Sequence, residues 1–268
     1  MIEQLLLAFF LSLLVGGLSS ITGIGGGSFS VPILVFLFSF DYRVAVGASL
    51  IVMVCSTFTS TLAYIRKRQI RVLIALCLAI PGIIASAITA NVAAYLPTSL
   101  LLAIFAVVTF VVGVTMLYPQ FRIVFTISGG PEFEETIETP SEGRIVKKLS
   151  YLHFFVWGFF SGSTNGLIGI GGGTFNVPAM VISGIPIHSA IATSSLVIFC
   201  VSCVSSLVHI SQGSIASLDI FSVYIAGATI GAFLGTQVIH RIPAAWLKRV
   251  FGLIFICISF SILLRLYL

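Results

Sequence analysis

One ten-residue stretch occurs twice in this chain, and both copies forbid an uninterrupted helix where the flanking sequence would build one. The first is Gly23-Ile24-Gly25-Gly26-Gly27-Ser28-Phe29-Ser30-Val31-Pro32. The second, 146 positions later, is Gly169-Ile170-Gly171-Gly172-Gly173-Thr174-Phe175-Asn176-Val177-Pro178. They differ only at Ser28/Thr174 and Ser30/Asn176. Each places four glycines within five residues, and a glycine in a helix interior costs about 1 kcal/mol relative to alanine. Ser28 or Thr174 follows as a suitable N-cap. Pro32 or Pro178 comes four residues later, within the first turn or so of a new helix. The local expectation is helix, break, helix, made twice.

What surrounds the breaks is apolar. Hydrophobic residues make up 58% of the 268 positions and charged residues only 8%, against about 25% charged in a soluble domain. Too little polar surface exists to cover a water-soluble fold of this size, so the outer solvent is expected to be lipid. The net charge of +5 does not imply nucleic acid, because the basic residues fall in short loops between apolar runs, where they set membrane orientation. Met1-Ile2-Glu3-Gln4 lacks a basic n-region and no A-x-A site follows, so the first apolar run is expected to be retained. Cys55, Cys77, Cys200, Cys203 and Cys257 all lie within apolar spans. Cys200 and Cys203 are one turn apart but have no second ligand pair, so they read as small packing residues and no metal or other cofactor is expected.

The runs divide the chain into a first repeat (1–118), a polar linker (119–150) and a second repeat (151–268). Segments are expected at Gln4–Thr22, Ser28–Phe40, Val44–Ile65, Val72–Val92 and Ser99–Tyr118. The second repeat gives Tyr151–Ile168, Thr174–Ser183, Ser189–Ile210, Leu218–His240 and Trp246–Leu266. Gly47-Ala48-Ser49 matches Ala192-Thr193-Ser194 one residue out of register, and Gly82 matches Gly227. The linker holds Glu132, Glu134, Glu135, Glu138 and Glu142, five of the eight acids. Its glycines and prolines predict an irregular cytoplasmic connection. The fold class is therefore an all-α polytopic membrane protein built from two repeats of about five segments.

The basic residues bear on how the repeats are related. If the first two segments of each repeat form an out-and-back hairpin, the repeats are inverted and 11 of 13 Lys/Arg lie inside, with Arg43 and Arg265 outside. If they form one crossing, the repeats are parallel and 9 of 13 lie inside. The positive-inside rule favours the inverted arrangement.

Two helix N-termini related by such symmetry would face one central site with unpaired N–H donors and partial positive charge, suited to a small anion. The candidate binding residues are Gly25, Gly26, Gly27, Ser28, Ser30 and Ser49 from the first repeat. From the second they are Asn165, Gly171, Gly172, Gly173, Thr174, Asn176, Thr193 and Ser194. Close helix packing at small residues is the competing explanation of the glycines. A phosphate loop fits poorly, since neither a lysine nor a preceding strand is present.

The doubled motif G-I-G-G-G-S-F-S-V-P and G-I-G-G-G-T-F-N-V-P, with Gly47-Ala48-Ser49 and Ala192-Thr193-Ser194, resembles the TauE/SafE family of sulfite exporters and related anion permeases. The resemblance implies transport of small sulfur-containing or organic anions such as sulfite, sulfonates or sulfoacetate. Family motifs tend to carry Thr in the small-Thr-Ser triplet, where the first repeat has Ala48.

No Asp, Glu, Lys or Arg lies in the middle of a span, so a carboxylate proton relay is not expected and neutral donors must meet the anion's charge. His153, His188, His209 and His240 sit near span ends and read as interfacial aromatics. An inside-negative potential drives anions outward without a coupling ion, so export is the preferred direction. Proton- or sodium-coupled uptake and an anion channel are the alternatives. No catalytic cluster is present to suggest an enzyme. The expected partners are a small anionic substrate and the lipid bilayer of the cell's inner (plasma) membrane, with a homo-oligomer compatible with the sequence.

Overall fold

A computed structural model describes residues 2–117, 132–139, 143–213 and 218–238, with parts of 252–262. Its helices are α1 (Ile2–Thr22), α2 (Gly27–Pro32), α3 (Tyr42–Arg66), α4 (Val72–Ala93), α5 (Thr98–Leu117), α6 (Tyr151–Ile168), α7 (Gly173–Ile182), α8 (Ile187–Ser211) and α9 (Leu218–Val238). Five of them, in α1, α3, α4, α8 and α9, are long and apolar enough to cross a membrane among the described residues. Their outward faces confirm which solvent they meet. On α4 Leu76, Ile80, Ile84 and Ile88, spaced one turn apart, are all exposed, as are Leu6, Phe10 and Leu14 on α1. Apolar area this continuous is not left to water. The protein is a multi-pass membrane protein.

The expected second segment, Ser28–Phe40, is shorter and changes character. α2 gives way after Pro32 to a π-helical turn, Ile33–Leu37, with Phe38 N–H bonding Ile33 O at 3.4 Å. Proline offers no N–H to the preceding turn and its ring crowds the carbonyl there, which favours the wider turn. The linker also departs from expectation. Glu132–Thr139 and Gly143–Ser150 form β1 and β2, an antiparallel pair with Glu134 opposite Lys148 and Glu135 opposite Lys147. The segment expected at Trp246–Leu266 lies mostly outside the described residues.

Helix directions follow from which residues meet. Leu78, Gly82 and Ser86 of α4 meet Gly158, Gly162 and Gly166 of α6 in order, so these helices run parallel. Likewise Phe9, Leu13 and Gly17 of α1 meet Gly227, Gly231 and Gly235 of α9 in order. Each glycine triplet repeats every fourth residue, and any Cβ added there would run into backbone of the facing helix. These are the close small-residue contacts by which membrane helices pack without a hydrophobic driving force between them. Both triplets belong to the second half of the chain, and the sequence reading did not single them out.

The central pair, α3 and α8, runs antiparallel. Tyr64 clusters with Ile191 at one end, Phe58 and Phe199 rings lie 5.5 Å apart, and Tyr42 shares a pocket with His209 at the other end. α6 and α7 fold back on one another. His153 approaches Ala179 O at 3.4 Å, Trp157 and Phe175 rings are 6.1 Å apart, and Ser161 lies against Gly172. The second glycine break is thus the turn of a hairpin.

Candidate functional site

The two glycine breaks meet in the middle of the bundle. Residues 19–32 and 168–174 are buried throughout. Gly23 and Gly25 have φ of 67° and 103°, and Gly169 and Gly171 have 66° and 85°. This is left-handed backbone that glycine alone adopts without strain. The contact between the breaks is reciprocal. A Cβ on Gly27 would run into Gly169 O, and one on Gly173 into Gly23 O. Ser28 N–H and Oγ both donate to Ile170 O, at 3.1 and 3.0 Å. Ser194 Oγ donates to Gly23 O at 2.7 Å, while Ser49 Oγ approaches Gly169 O at 3.5 Å and bonds Val46 O at 2.8 Å. Ser49 and Ser194 occupy the positions that the one-residue register shift predicts, each reaching into the other half's break.

The hydroxyls are not placed as the sequence reading had them. Gly26 and Gly172 are the N-caps, so Ser28 and Thr174 stand inside the first turn and cap nothing. Each cap position is closed to a side chain by the preceding helix of the same half: a Cβ on Gly26 would press on Ser19, and one on Gly172 would run into Ser161. Thr174 Oγ1 bonds Gly171 O at 3.4 Å. Ser30 Oγ accepts from Tyr224 OH at 3.5 Å, and Thr193 Oγ1 accepts from Arg71 N–H at 3.0 Å, away from the breaks. Gly26 is left-handed, with φ of 74°, but Gly172 is helical at −68°, so the two copies are not superimposable in detail.

The halves differ most along the seam between α6 and α7. His153, Trp157, Ser161 and Asn165 recur every fourth residue and share one stripe of α6. Gly172 and Asn176, one turn apart, lie across from them. Asn165 and Asn176 are fully buried and Ser161 is 1% exposed. Five atoms here are buried without a hydrogen-bond partner: Trp157 Nε1, Ser161 Oγ, Asn165 Oδ1, and Oδ1 and Nδ2 of Asn176. Each such group costs about 1–3 kcal/mol when left unsatisfied. Asn165 Nδ2 is held by Ser202 and Ser205 of α8 at 3.2 and 3.4 Å, which fixes its amide. The matching positions 146 residues earlier are Leu11, Val15, Ser19 and Ser30. The predicted donors Asn165 and Asn176 stand apart along this hairpin: Asn165, beyond Ser161 toward the turn, is held by α8, while Asn176 lies in the first turn of α7 near the level of Trp157. Trp157 and Ser161 were missed, although their four-residue spacing from Asn165 was readable.

The interfacial reading of the histidines fails for two of them. His153 and His209 are 6% and 4% exposed, with Nε2 against Ala179 O and Gly166 O at 3.4 and 3.0 Å. Their rings pack between helices because facing carbonyls at the hairpin and the α6 end take up the polar nitrogen. A separate surface pocket opens near the start of α3, lined by Tyr42, Arg43, Leu167, His209 and Gln212 among others. It contains none of the predicted residues. Among the described residues no group of His, Cys, Asp or Glu is arranged to hold a metal ion.

The family described as "Sulfite exporter TauE/SafE" matches residues 8–262. The chain is 28% identical over 260 residues to "Probable membrane transporter protein YunE" of Bacillus subtilis, covering 93% of each chain. It is 24% identical over 256 residues to a "Probable membrane transporter protein" of Xylella fastidiosa, covering 94% of this chain and 92% of that one. It is 26% identical over 229 residues to "Probable membrane transporter protein MJ0441" of Methanocaldococcus jannaschii, covering 82% and 79%. With its two glycine breaks meeting inside a bundle of apolar helices, the chain belongs to the TauE/SafE sulfite exporter family of membrane transporters.

Proposed function

We propose that the protein carries small anions of the sulfite and sulfonate type outward across the inner (plasma) membrane, with the two glycine breaks forming the centre of the path. The observation that carries this reading is the reciprocal contact of the breaks. Helix starts and irregular backbone are placed at membrane depth, where such backbone is otherwise excluded unless it lines a site or is buried in protein. Every Asp, Glu, Lys and Arg in the sequence lies near a span end or in a loop. The groups offered to the anion there are the backbone N–H groups of Gly25–Gly27 and Gly171–Gly173 with Ser30, Asn165 and Asn176, while the hydroxyls of Ser28, Ser49, Thr174 and Ser194 are engaged by backbone carbonyls. The family description, a sulfite exporter, supports the substrate class.

The same reading makes the halves an inverted repeat. Antiparallel α3 and α8, parallel α1/α9 and α4/α6 pairs, and the α6–α7 hairpin are what a two-fold axis in the membrane plane generates. Lys67 Nζ bonds Thr236 O at 2.6 Å, so the basic loop Arg66–Arg71 and the end of α9, just before Arg241, share one side. That side is the cytoplasmic one by the positive-inside rule. The polar linker emerges there as well.

An inside-negative potential contributes about 2.3 kcal/mol per charge per 100 mV to anion exit, so no coupling ion is needed. In proteoliposomes, efflux of sulfite is expected to saturate with substrate and to accelerate with a potassium-diffusion potential, without a proton or sodium gradient. Flux that requires either gradient would overturn the export reading, and flux that never saturates would indicate a channel.

A further inference from the structure

The duplicated motif suggests one central site to which the two halves contribute equally, but the two halves are chemically unequal. In the first half Ser28 N–H and Oγ are both engaged by Ile170 O, and the seam beside the break is lined by Leu11, Val15 and Ser19. In the second half the corresponding seam carries Trp157, Ser161 and Asn165, facing Asn176.

We propose that, of the groups offered at the breaks, the second half supplies the side-chain donors that bind the anion, in a slot between α6 and α7 lined by Trp157 Nε1, Ser161 Oγ and the Asn176 amide beside the start of α7, while the first break walls the path. This inference rests on the transport reading above and specifies its binding residues.

Three observations carry it. First, the unpartnered polar atoms are buried: Asn176 and Asn165 are 0% exposed, Ser161 is 1% exposed, and the half-buried Trp157 has its Nε1 turned away from the surface. Second, they lie along one seam: Ser161 Oγ occupies the space a Cβ on Gly172 would need, Asn176 stands one turn beyond Gly172 on α7, and the Trp157 ring lies 6.1 Å from that of Phe175, next to Asn176 in the chain. Third, the donors are of the right kind. An indole N–H, a hydroxyl and an amide NH₂ supply hydrogen bonds without a competing cation, and α7, ten residues long, adds the partial positive charge of its N-terminus.

The ligand class follows from the same inventory. Indole, hydroxyl and amide N–H groups suit the oxygens of a sulfo group. Asn165 Oδ1 and Asn176 Oδ1 are acceptors, and they suit a proton or a single water carried with the anion. Hydrogensulfite meets both demands, and a short alkylsulfonate meets the first while an accompanying water meets the second. Gly172 is required because any side chain there would fill the place of Ser161 Oγ. Asn165 is a positioning residue, with Ser202 and Ser205 orienting its amide.

The chain has two tryptophans, Trp157 and Trp246, so the Trp246→Phe variant leaves Trp157 as a single internal reporter. In that background, titration with sodium sulfite and with sodium methanesulfonate is expected to change Trp157 emission saturably. Ser161→Ala and Asn176→Asp are expected to weaken binding and raise KM by about tenfold, the ratio expected when one hydrogen bond to a charged group is lost. Ser19→Ala, the first-half counterpart of a change at Asn165, is expected to leave both values unaltered. If transport persists while Trp157 emission is indifferent to both anions and Ser161→Ala and Asn176→Asp keep the parent KM, the slot is refuted and the transport reading stands. If Trp157 responds but no flux occurs with either anion, the slot stands and the transport reading fails.

Discussion

At the scale of single residues, the glycines do two different jobs, and their neighbours tell them apart. Gly23, Gly25, Gly169 and Gly171 are needed for their left-handed backbone. Gly27 and Gly173 are needed because a carbonyl of the opposite break lies where their Cβ would go. Overpacking a filled interior costs typically 1–3 kcal/mol. Gly27→Ala and Gly173→Ala are each expected to lower thermal stability in detergent by about that amount and to abolish flux. A thermal-shift assay and a proteoliposome assay on the same preparations check this. The presence of these breaks was legible because four glycines in five residues have few other uses. The roles of Ser28 and Thr174 were not, because the sequence does not show that each helix starts two residues earlier, at Gly26 and Gly172, where Ser19 and Ser161 of the preceding helices press in.

Among the helices, segment boundaries were read to within a few residues, since long apolar runs bounded by charges leave little choice. What could not be read was which helix meets which. Gly158, Gly162, Gly166 and Gly227, Gly231, Gly235 each recur at four-residue spacing, but such stripes do not name their partner. The facing residues on α4 and α1 are a mixture of leucine, serine, phenylalanine and glycine. The β1–β2 pair was read as irregular because the prolines and glycines around it outweighed its short alternation of charge. Gly162→Leu on α6 is expected to separate α6 from α4 and to destabilise the folded protein by several times what a lipid-facing change such as Ile84→Leu does. Size-exclusion profiles in detergent after a heating step would check it. Equal survival of the two variants would mean that the stripe is not the contact that holds α6 in place.

For the whole molecule, the measurable property is sidedness. In a cysteine-free background, Lys67→Cys and Arg241→Cys are expected to react with an impermeant maleimide only after the cell is opened. Tyr95→Cys and Gly213→Cys are expected to react from outside. Labelling of positions 67 and 241 from opposite sides would rule out the inverted arrangement. Sequence reasoning reached that arrangement by tallying charges. The hydrogen bond between Lys67 and Thr236 O supports it by an independent route. Chemical inequality between the halves was harder to foresee, since a repeat draws attention to what its copies share, and the seam of α6 lies in the part where they differ.

The exchange of helices between halves also bears on how the protein is made. α1 rests on α9 and α4 rests on α6, so the faces of α1 and α4 that make these contacts have no partner while only the first five segments have left the ribosome. They must wait in the bilayer, with these faces against lipid or an insertion factor, until the second half is translated and slots between them.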